Sequence, residues 1–211
     1  MGHKGELYLI AAPSGAGKTS LMKALLQRCP NLALSVSDTT RPARPGEVDG
    51  EQYHFVDRAE FETGIAAGDY LEHADVFGNY YGTRRDRVEA LWAAGKDVLL
   101  EIDVQGAAQV KEAFAGLCSI FILPPSMQEL ARRLRNRGSD SPEVISRRFS
   151  EARREIEACG TFRWMVVNDR FERALDELEC IVTAWPLRRA RQQTRVEKLL
   201  DEAAQGSTIT G

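Results

Sequence analysis

The chain lacks any apolar run approaching the roughly 18 residues that a membrane-spanning helix requires, so no membrane association is expected. It also lacks a strong excess of either charge. The 28 Lys and Arg stand against 31 Asp and Glu, a formal net charge of -3, which argues against general nucleic-acid affinity although arginines are locally dense. Its four cysteines, Cys29, Cys118, Cys159 and Cys180, are far apart and form no CxxC pair, so reduced, partly buried thiols are expected rather than a disulfide or zinc framework. The three histidines, His3, His54 and His73, have no metal-ligand spacing. The opening residues MGHKGELYLI enter a strand at once, which leaves no room for a signal peptide. Glu6 stands where a myristoylated Gly2 would need Ser or Thr nearby. A cytoplasmic location is the resulting expectation. What remains is ordinary for a globular protein: 43% hydrophobic and 28% charged residues, in a chain of 211 residues that can bury one large core, with or without insertions.

Apolar, β-rich runs recur at 7–12, 32–37, 70–77, 98–102, 119–123 and 165–167, and helix signals fall between most of them. Leu21, Met22, Leu25 and Leu26 have helical spacing over 19–28. Asp57 with Glu60 forms a capping box before 61–67, and Ser126 with Glu129 does the same for 127–137, which Gly138 ends. Gly95 closes a helix over 84–94, and 105–114 is another. Ser141 with Pro142 starts a helix that Gly160 stops, and 173–184 and 187–204 finish the chain. Alternation of this kind predicts an α/β fold with a parallel sheet covered by helices. Two stretches break it. Residues 37–82 carry strands, turns and aromatics punctuated by Pro42, Pro45, Gly46 and Gly50, and read as an insertion. Residues 126–160 are helical and arginine-dense, and read as a cover. No internal repeat is visible, and the tail 205–211 is expected to be disordered.

The run Ala12-Pro13-Ser14-Gly15-Ala16-Gly17-Lys18-Thr19 lies between the first strand and the first helix. It is one residue from the phosphate-binding pattern GxxxxGK[ST], with Ala12 in place of the first glycine. Gly15 and Gly17 let backbone N–H groups turn inward as an anion nest, and the following helix adds the positive end of its dipole. Lys18 can reach the β- and γ-phosphates of a nucleoside triphosphate, and the Thr19 hydroxyl can ligate Mg²⁺. A plain Gly-rich turn with a solvated lysine would share this composition, but the flanking strand and helix favour the nest.

An acceptor can be sought further on. Arg41 and Arg44 lie in a turn-rich stretch stiffened by Pro42 and Pro45, an arrangement suited to bidentate binding of a phosphate monoester, to which Tyr53 can add a hydroxyl donor. A solvated basic turn is the alternative. A buried carboxylate at Glu72 could accept from the N1–H and N2 amine of guanine while Thr83 donates to O6; adenine presents the opposite pattern at those edges. Both residues would equally suit the polar face of a half-exposed strand.

Taken together, APSGAGKTS, TTRPARPGEVDGEQYHF, FGNYYGT, IDVQG, FILPPS, the arginine-rich helices and VVND resemble the guanylate kinase family, in the family's order and over nearly the whole chain. The resemblance implies a P-loop kinase core at about 5–36, 83–125 and 161–205, a mixed α/β GMP-binding insertion at about 37–82, and a helical lid at about 126–160. It implies Mg²⁺-dependent transfer of a phosphoryl group from ATP to GMP, within purine nucleotide metabolism and GMP recycling. By the same resemblance, Ser37, Arg41, Arg44, Tyr53 and Tyr81 belong to the GMP phosphate, and Glu72, Thr83 and Asp103 to the guanine. The loop from Ala12 through Pro13, Ser14, Gly15, Ala16, Gly17 and Lys18 to Thr19 would bind ATP. Arg133, Arg137 and Arg148 would be lid arginines, with Arg137 and Arg148 joining Lys18 and Arg41 in catalysis, and Asn168 would lie beside the adenine. Arg132 and Arg135 are expected to be solvated.

Ala12 agrees with the family, which commonly has Ala or Ser there. Two positions depart from it. Glu101 stands where an aspartate is usual near the metal, and would act there through water. Arg170 replaces a frequently acidic residue and has no functional reading. Rival readings are a kinase for AMP, CMP or UMP, which Glu72 with Thr83 opposes, and a non-catalytic guanylate-kinase-like interaction module, which the intact Lys18 and Thr19 oppose. Oligomeric state and use of dGMP are not readable from the residues.

Overall fold

The computed structural model describes residues 5–76, 78–136 and 142–205. Their elements in chain order are β1 (Leu7–Ala11), α1 (Lys18–Arg28), β2 (Leu32–Ser35), β3 (Asp38–Thr39), β4 (His54–Phe55), α2 (Arg58–Ala67), β5 (Tyr70–Val76), β6 (Asn79–Arg84), α3 (Arg85–Ala93), β7 (Asp97–Glu101), α4 (Val104–Ala113), β8 (Cys118–Leu123), α5 (Met127–Arg135), α6 (Pro142–Glu157), β9 (Trp164–Val167), α7 (Phe171–Ala184) and α8 (Arg189–Gln205). Short 3-10 turns at Ala158–Thr161 and Trp185–Leu187 join α6 to β9 and α7 to α8.

The first sheet is wholly parallel, in the order β2-β7-β1-β8-β9. Every residue of β1 is buried, as expected for an uninterrupted apolar run covered on both faces. Its side chains divide by the period of two. Tyr8 and Ile10 join Leu21, Leu25 and Leu178 of α1 and α7, while Leu7, Leu9 and Ala11 join Val88, Trp92 and Val110 of α3 and α4. The Tyr8 hydroxyl would be costly to bury alone, and it donates to the Val182 carbonyl at 2.9 Å. The chain leaves β1 toward one edge of the sheet and leaves β7 toward the other. The crevice beyond their carboxyl ends is therefore the topological switch point, the usual place for a ligand in such a sheet.

A second, four-stranded sheet in the order β4-β3-β6-β5 occupies the region read as an insertion, with β6 running two residues past its expected end to Arg84. It is mixed: β3 runs parallel to β4, whereas β6 is antiparallel to both β3 and β5. Strand β6 was not resolved as a separate element in the sequence, because Gly82 and the adjoining polar residues hide its alternation. The predicted strand over 32–37 is β2, which ends at Ser35, and β3 follows just past that run in the other sheet. Phe77 lies outside the described residues. Helix α2 starts where its box predicts, with the Asp57 carboxylate accepting the Glu60 N–H at 2.7 Å.

Helices α5 and α6 form a small core of their own from Leu130, Leu134 and Ala152, with Met127, Ile145 and Phe149 against it. Ser126 caps α5 by accepting the Glu129 N–H at 3.1 Å. The expected stop at Gly138, the expected cap at Ser141 and the tail 206–211 lie outside the described residues. Among the described residues, no helix is long and apolar enough to cross a membrane.

Candidate active site

The loop 12–17 turns back on itself beyond β1, with the Ala16 N–H bonded to the Pro13 carbonyl at 3.0 Å. Gly15 and Gly17 have φ of 90° and 92°, left-handed values that L side chains rarely adopt. Lack of a side chain matters twice at Gly17, because a Cβ there would lie 2.4 Å from Asn168 Nδ2. That Asn168 amide is buried and donates to the Ala16 carbonyl at 2.7 Å. Arg133 of α5 reaches the same carbonyl at 3.4 Å and the Asn168 carbonyl at 3.1 Å, while Glu129 holds its Nε at 2.8 Å. Arg133 and Asn168 therefore converge on the backbone of the loop, with Leu130 and Leu134 packed beside Gly15.

Lys18 and Thr19 open α1. Lys18 Nζ lies 3.1 Å from Glu101 Oε1 at the end of β7, a meeting set by the parallel register that pairs Ile10 with Glu101. The Ser14 N–H bonds the carboxylate of Glu155, which reaches in from α6. Burial pushes the Glu155 carboxyl up to about 7; Lys18 opposes this and Asp103 adds to it. The exposed Thr19 hydroxyl and the Glu101 carboxylate are hard oxygen donors beside the loop. Such a sparse oxygen set suits Mg²⁺, which keeps several waters and takes other ligands from substrate phosphates.

Two residues past Glu101, the chain reaches the second sheet. Asp103 caps α4, its Oδ1 accepting the Gly106 N–H at 2.8 Å. Gly106 sits under Glu72 of β5, which is only 4% exposed. Thr83, paired with Glu72 across β5 and β6, is fully buried and donates its hydroxyl to Glu72 Oε1 at 2.6 Å. Burial raises the Glu72 carboxyl to about 7, with Asp103 contributing and the Thr83 bonds opposing. Gln109 of α4 fastens β5 in place: its Nε2 donates to the His73 carbonyl at 2.8 Å and its Oε1 accepts the His73 N–H at 3.2 Å.

The sheet also carries the arginines and tyrosines. Arg41 lies 5.5 Å from the centre of the Tyr53 ring and hydrogen-bonds the Tyr81 hydroxyl, and the two tyrosine rings meet edge-on with centres 5.6 Å apart. Burial raises the Tyr53 hydroxyl to about 12, with Glu101 the next cause. Arg44 is exposed, and the Ser37 carbonyl accepts the His54 N–H at 2.9 Å just before β3.

Lys18 and Glu101 thus meet at the carboxyl ends of β1 and β7, with Asp103 two residues on, while Arg41, Tyr53 and Tyr81 meet at the second sheet, where Tyr81 lies two residues from Thr83 along β6. Half-buried Arg148 lies on α6, and Arg132 and Arg135 are exposed. Arg137 lies outside the described residues. Arg170 directly precedes α7. Sequence reasoning missed Glu47, Gly106, Gln109 and Glu155. A glycine in the first turn of a helix was the one local signal for Gly106, since such a residue commonly has a packing reason.

A family model described as guanylate kinase matches residues 4–185. The guanylate kinase of Alkalilimnicola ehrlichii is 54% identical over 196 residues, 93% of this chain and 97% of that protein. That of Neisseria meningitidis serogroup A is 54% identical over 200 residues, 95% of this chain and 98% of its own. A crystal structure of guanylate kinase from Anaplasma phagocytophilum superposes with a TM-score of 0.74 at 36% identity, covering 90% of each chain. With the loop at Lys18 and the buried Glu72–Thr83 pair set on such a scaffold, the chain belongs to the guanylate kinase family.

Proposed function

We propose that the chain transfers the γ-phosphoryl group of ATP to a phosphate oxygen of GMP, giving ADP and GDP. The observation that carries this reading is the continuity from donor to acceptor side along one short segment. Glu101 meets Lys18 at 3.1 Å, and Asp103, two residues on, caps the helix whose Gly106 packs under Glu72. ATP would lie on the loop from Ala12 to Thr19, with Arg133 and Asn168 bracing its backbone and Asn168 nearest the adenine. GMP would lie against the second sheet, its phosphate held by Ser37, Arg41, Arg44, Tyr53 and Tyr81. Guanine would be read by Glu72, Thr83 and Asp103. Ionised Glu72 accepts from the N1–H and the N2 amine, a pattern that adenine cannot satisfy. Residues 37–82 form the GMP-binding insertion and 126–160 the lid.

The acceptor oxygen is already anionic near neutral pH, so the reaction needs no strong general base. Catalysis is then positioning plus charge stabilisation. Lys18 neutralises the moving phosphoryl group, helped by Arg137 and Arg148 from the lid, while Arg41 holds the acceptor in line. In the structure Lys18 rests on Glu101, so ATP phosphates replace a carboxylate rather than bulk water as its partner. When bound, Mg²⁺ would screen the β- and γ-phosphate oxygens, held by the Thr19 hydroxyl and through water by Glu101. Closure of α5 and α6 excludes water, the competing acceptor. A cytoplasmic location fits these substrates.

The test is an ADP-release assay with Mg²⁺ and ATP against GMP, dGMP, AMP, CMP and UMP. GMP is expected to exceed AMP, CMP and UMP by at least about 10³ in kcat/KM, because a mismatched base leaves buried polar groups unpaired. Preference for AMP overturns the reading, as does a Lys18→Met variant whose turnover stays within about threefold of the parent.

A further inference from the structure

Between Arg44 and Glu47 the chain makes a tight turn, with the Glu47 N–H bonded to the Arg44 carbonyl at 3.0 Å. Pro45 and Gly46 occupy its two central positions, and Gly46 has φ of 86°, the left-handed value that a type II turn requires there. The turn aims the Glu47 carboxylate back at both arginines. Oε1 accepts from Arg41 Nη2 at 2.9 Å and Oε2 from Nη1 at 3.0 Å. Oε2 also accepts the Arg44 N–H at 2.7 Å. Both partners are well covered, with side chains 12% and 18% exposed.

A guanidinium has five N–H groups arranged along two usable edges. In Arg41 the end edge faces Glu47, and Nη1 gives its other hydrogen to the Pro42 carbonyl at 2.7 Å. The rings of Tyr53 and Phe55 lie 5.5 and 5.8 Å from the guanidinium carbon and fix its plane. Glu47 and Pro42 leave the side edge, Nε with the second hydrogen of Nη2, to the Tyr81 hydroxyl and, beside it, to a further anion. A bidentate donor has most value when its orientation is set before the ligand arrives.

We propose that Glu47 is a positioning residue for the acceptor: it pins the end edge of Arg41 and the Arg44 backbone so that the side edge of Arg41 meets the GMP phosphate. The inference rests on the GMP-kinase reading. Glu47 does not touch the substrate. It acts through Arg41, and its ionised carboxylate keeps the fork in register although it adds a negative charge near a phosphate.

The experiment is steady-state kinetics of Glu47→Gln in the full chain, varying GMP and ATP separately. Gln keeps the shape but turns an NH₂ group toward one arm of the fork. KM for GMP is expected to rise about tenfold to a hundredfold, with KM for ATP within about twofold of the parent. An unchanged KM for GMP overturns the proposal. A lower one also does, since Glu47 would then compete with the phosphate for Arg41. Parallel rises in both KM values overturn it by pointing to general damage. A second measurement compares Glu47→Gln with and without Arg41→Lys. The penalty should shrink below about threefold once the fork is gone, and a full penalty there overturns the proposal. If the parent chain itself fails to phosphorylate GMP, the functional reading falls. If the parent is active and only these outcomes fail, the role of Glu47 alone is wrong.

Discussion

Glu72 and Gly106 meet so closely that a Cβ on Gly106 would lie 2.3 Å from Glu72 Oε2 and 3.0 Å from its carboxyl carbon. Gly106 is buried, and its N–H is engaged with Asp103, so the backbone has little room to retreat. Gly106→Ala should therefore push the Glu72 carboxylate away from the guanine edge. With one or two base contacts weakened, KM for GMP is expected to rise about tenfold to a hundredfold. The P-loop is untouched, so KM for ATP should hold. Ala is also the better helix former by about 1 kcal/mol. A variant that folds normally and keeps its KM for GMP would falsify the idea that this close approach sets the base site.

Glu72 also sets a pH dependence. Burial raises its carboxyl to about 7, and only the ionised form can accept from both guanine donors. KM for GMP should therefore fall as pH rises from 6 to 8 and level off above the Glu72 pKa. Ionisation of the substrate phosphate near pH 6 contributes a separate, lower break. In Glu72→Gln the upper break should vanish and kcat/KM for GMP should drop by at least about 10², because the amide turns donors toward donors. Stability moves the other way with pH. A folded-state pKa above the unfolded value of 4.5 means stability is fully present below 4.5 and is lost as pH rises through 7. Between pH 5 and 8, the urea midpoint of the parent should fall relative to that of Glu72→Gln, and parallel midpoints would contradict the buried-acid account.

These two residues also mark how far the sequence could be read. The loop at Lys18, the strands of the parallel sheet, and the caps at Asp57 and Ser126 rest on local rules, and each is found within a residue or two of its expected place. Glu72 and Thr83 could be singled out by residue type, but their mutual hydrogen bond depends on the register of β5 against β6. Gly106 and Gln109 depend on how α4 packs against β5, a contact between segments more than thirty residues apart that no local pattern encodes. Strand β3 was hidden for a related reason. It is only two residues long, begins past the apolar run of β2, and pairs in the other sheet.

Gln109 supplies a separate prediction about this packing. Its amide satisfies both backbone groups of His73, the neighbour of Glu72, in a cyclic pair of hydrogen bonds. Gln109→Ala removes both at once and leaves part-buried backbone groups to find water, a loss of about 1–3 kcal/mol in folding stability. β5 should then drift from α4, and KM for GMP should rise while KM for ATP stays fixed. Gln109→Glu keeps an acceptor for the His73 N–H but opposes its carbonyl, so it should recover little. Urea denaturation and paired KM measurements check both. Equal loss for ATP and GMP would count against a local clamp.

Asn168 makes the corresponding prediction for the donor side. Its amide donates to the Ala16 carbonyl at 2.7 Å and fills the space that a Gly17 side chain would need. The amide thereby fixes the peptide plane between Ala16 and Gly17, and with it the direction of the Gly17 N–H. A nest works only while its N–H groups point inward. Asn168→Ala should leave the Ala16 carbonyl short of a strong donor, with Arg133 the more distant remaining partner at 3.4 Å. KM for ATP is expected to rise about tenfold, with KM for GMP changed less than about threefold. Asn168→Asp should be worse than Asn168→Ala, because an ionised carboxylate would face the same carbonyl. If the two variants bind ATP like the parent, the loop holds its shape without Asn168. The buried amide would then serve packing alone.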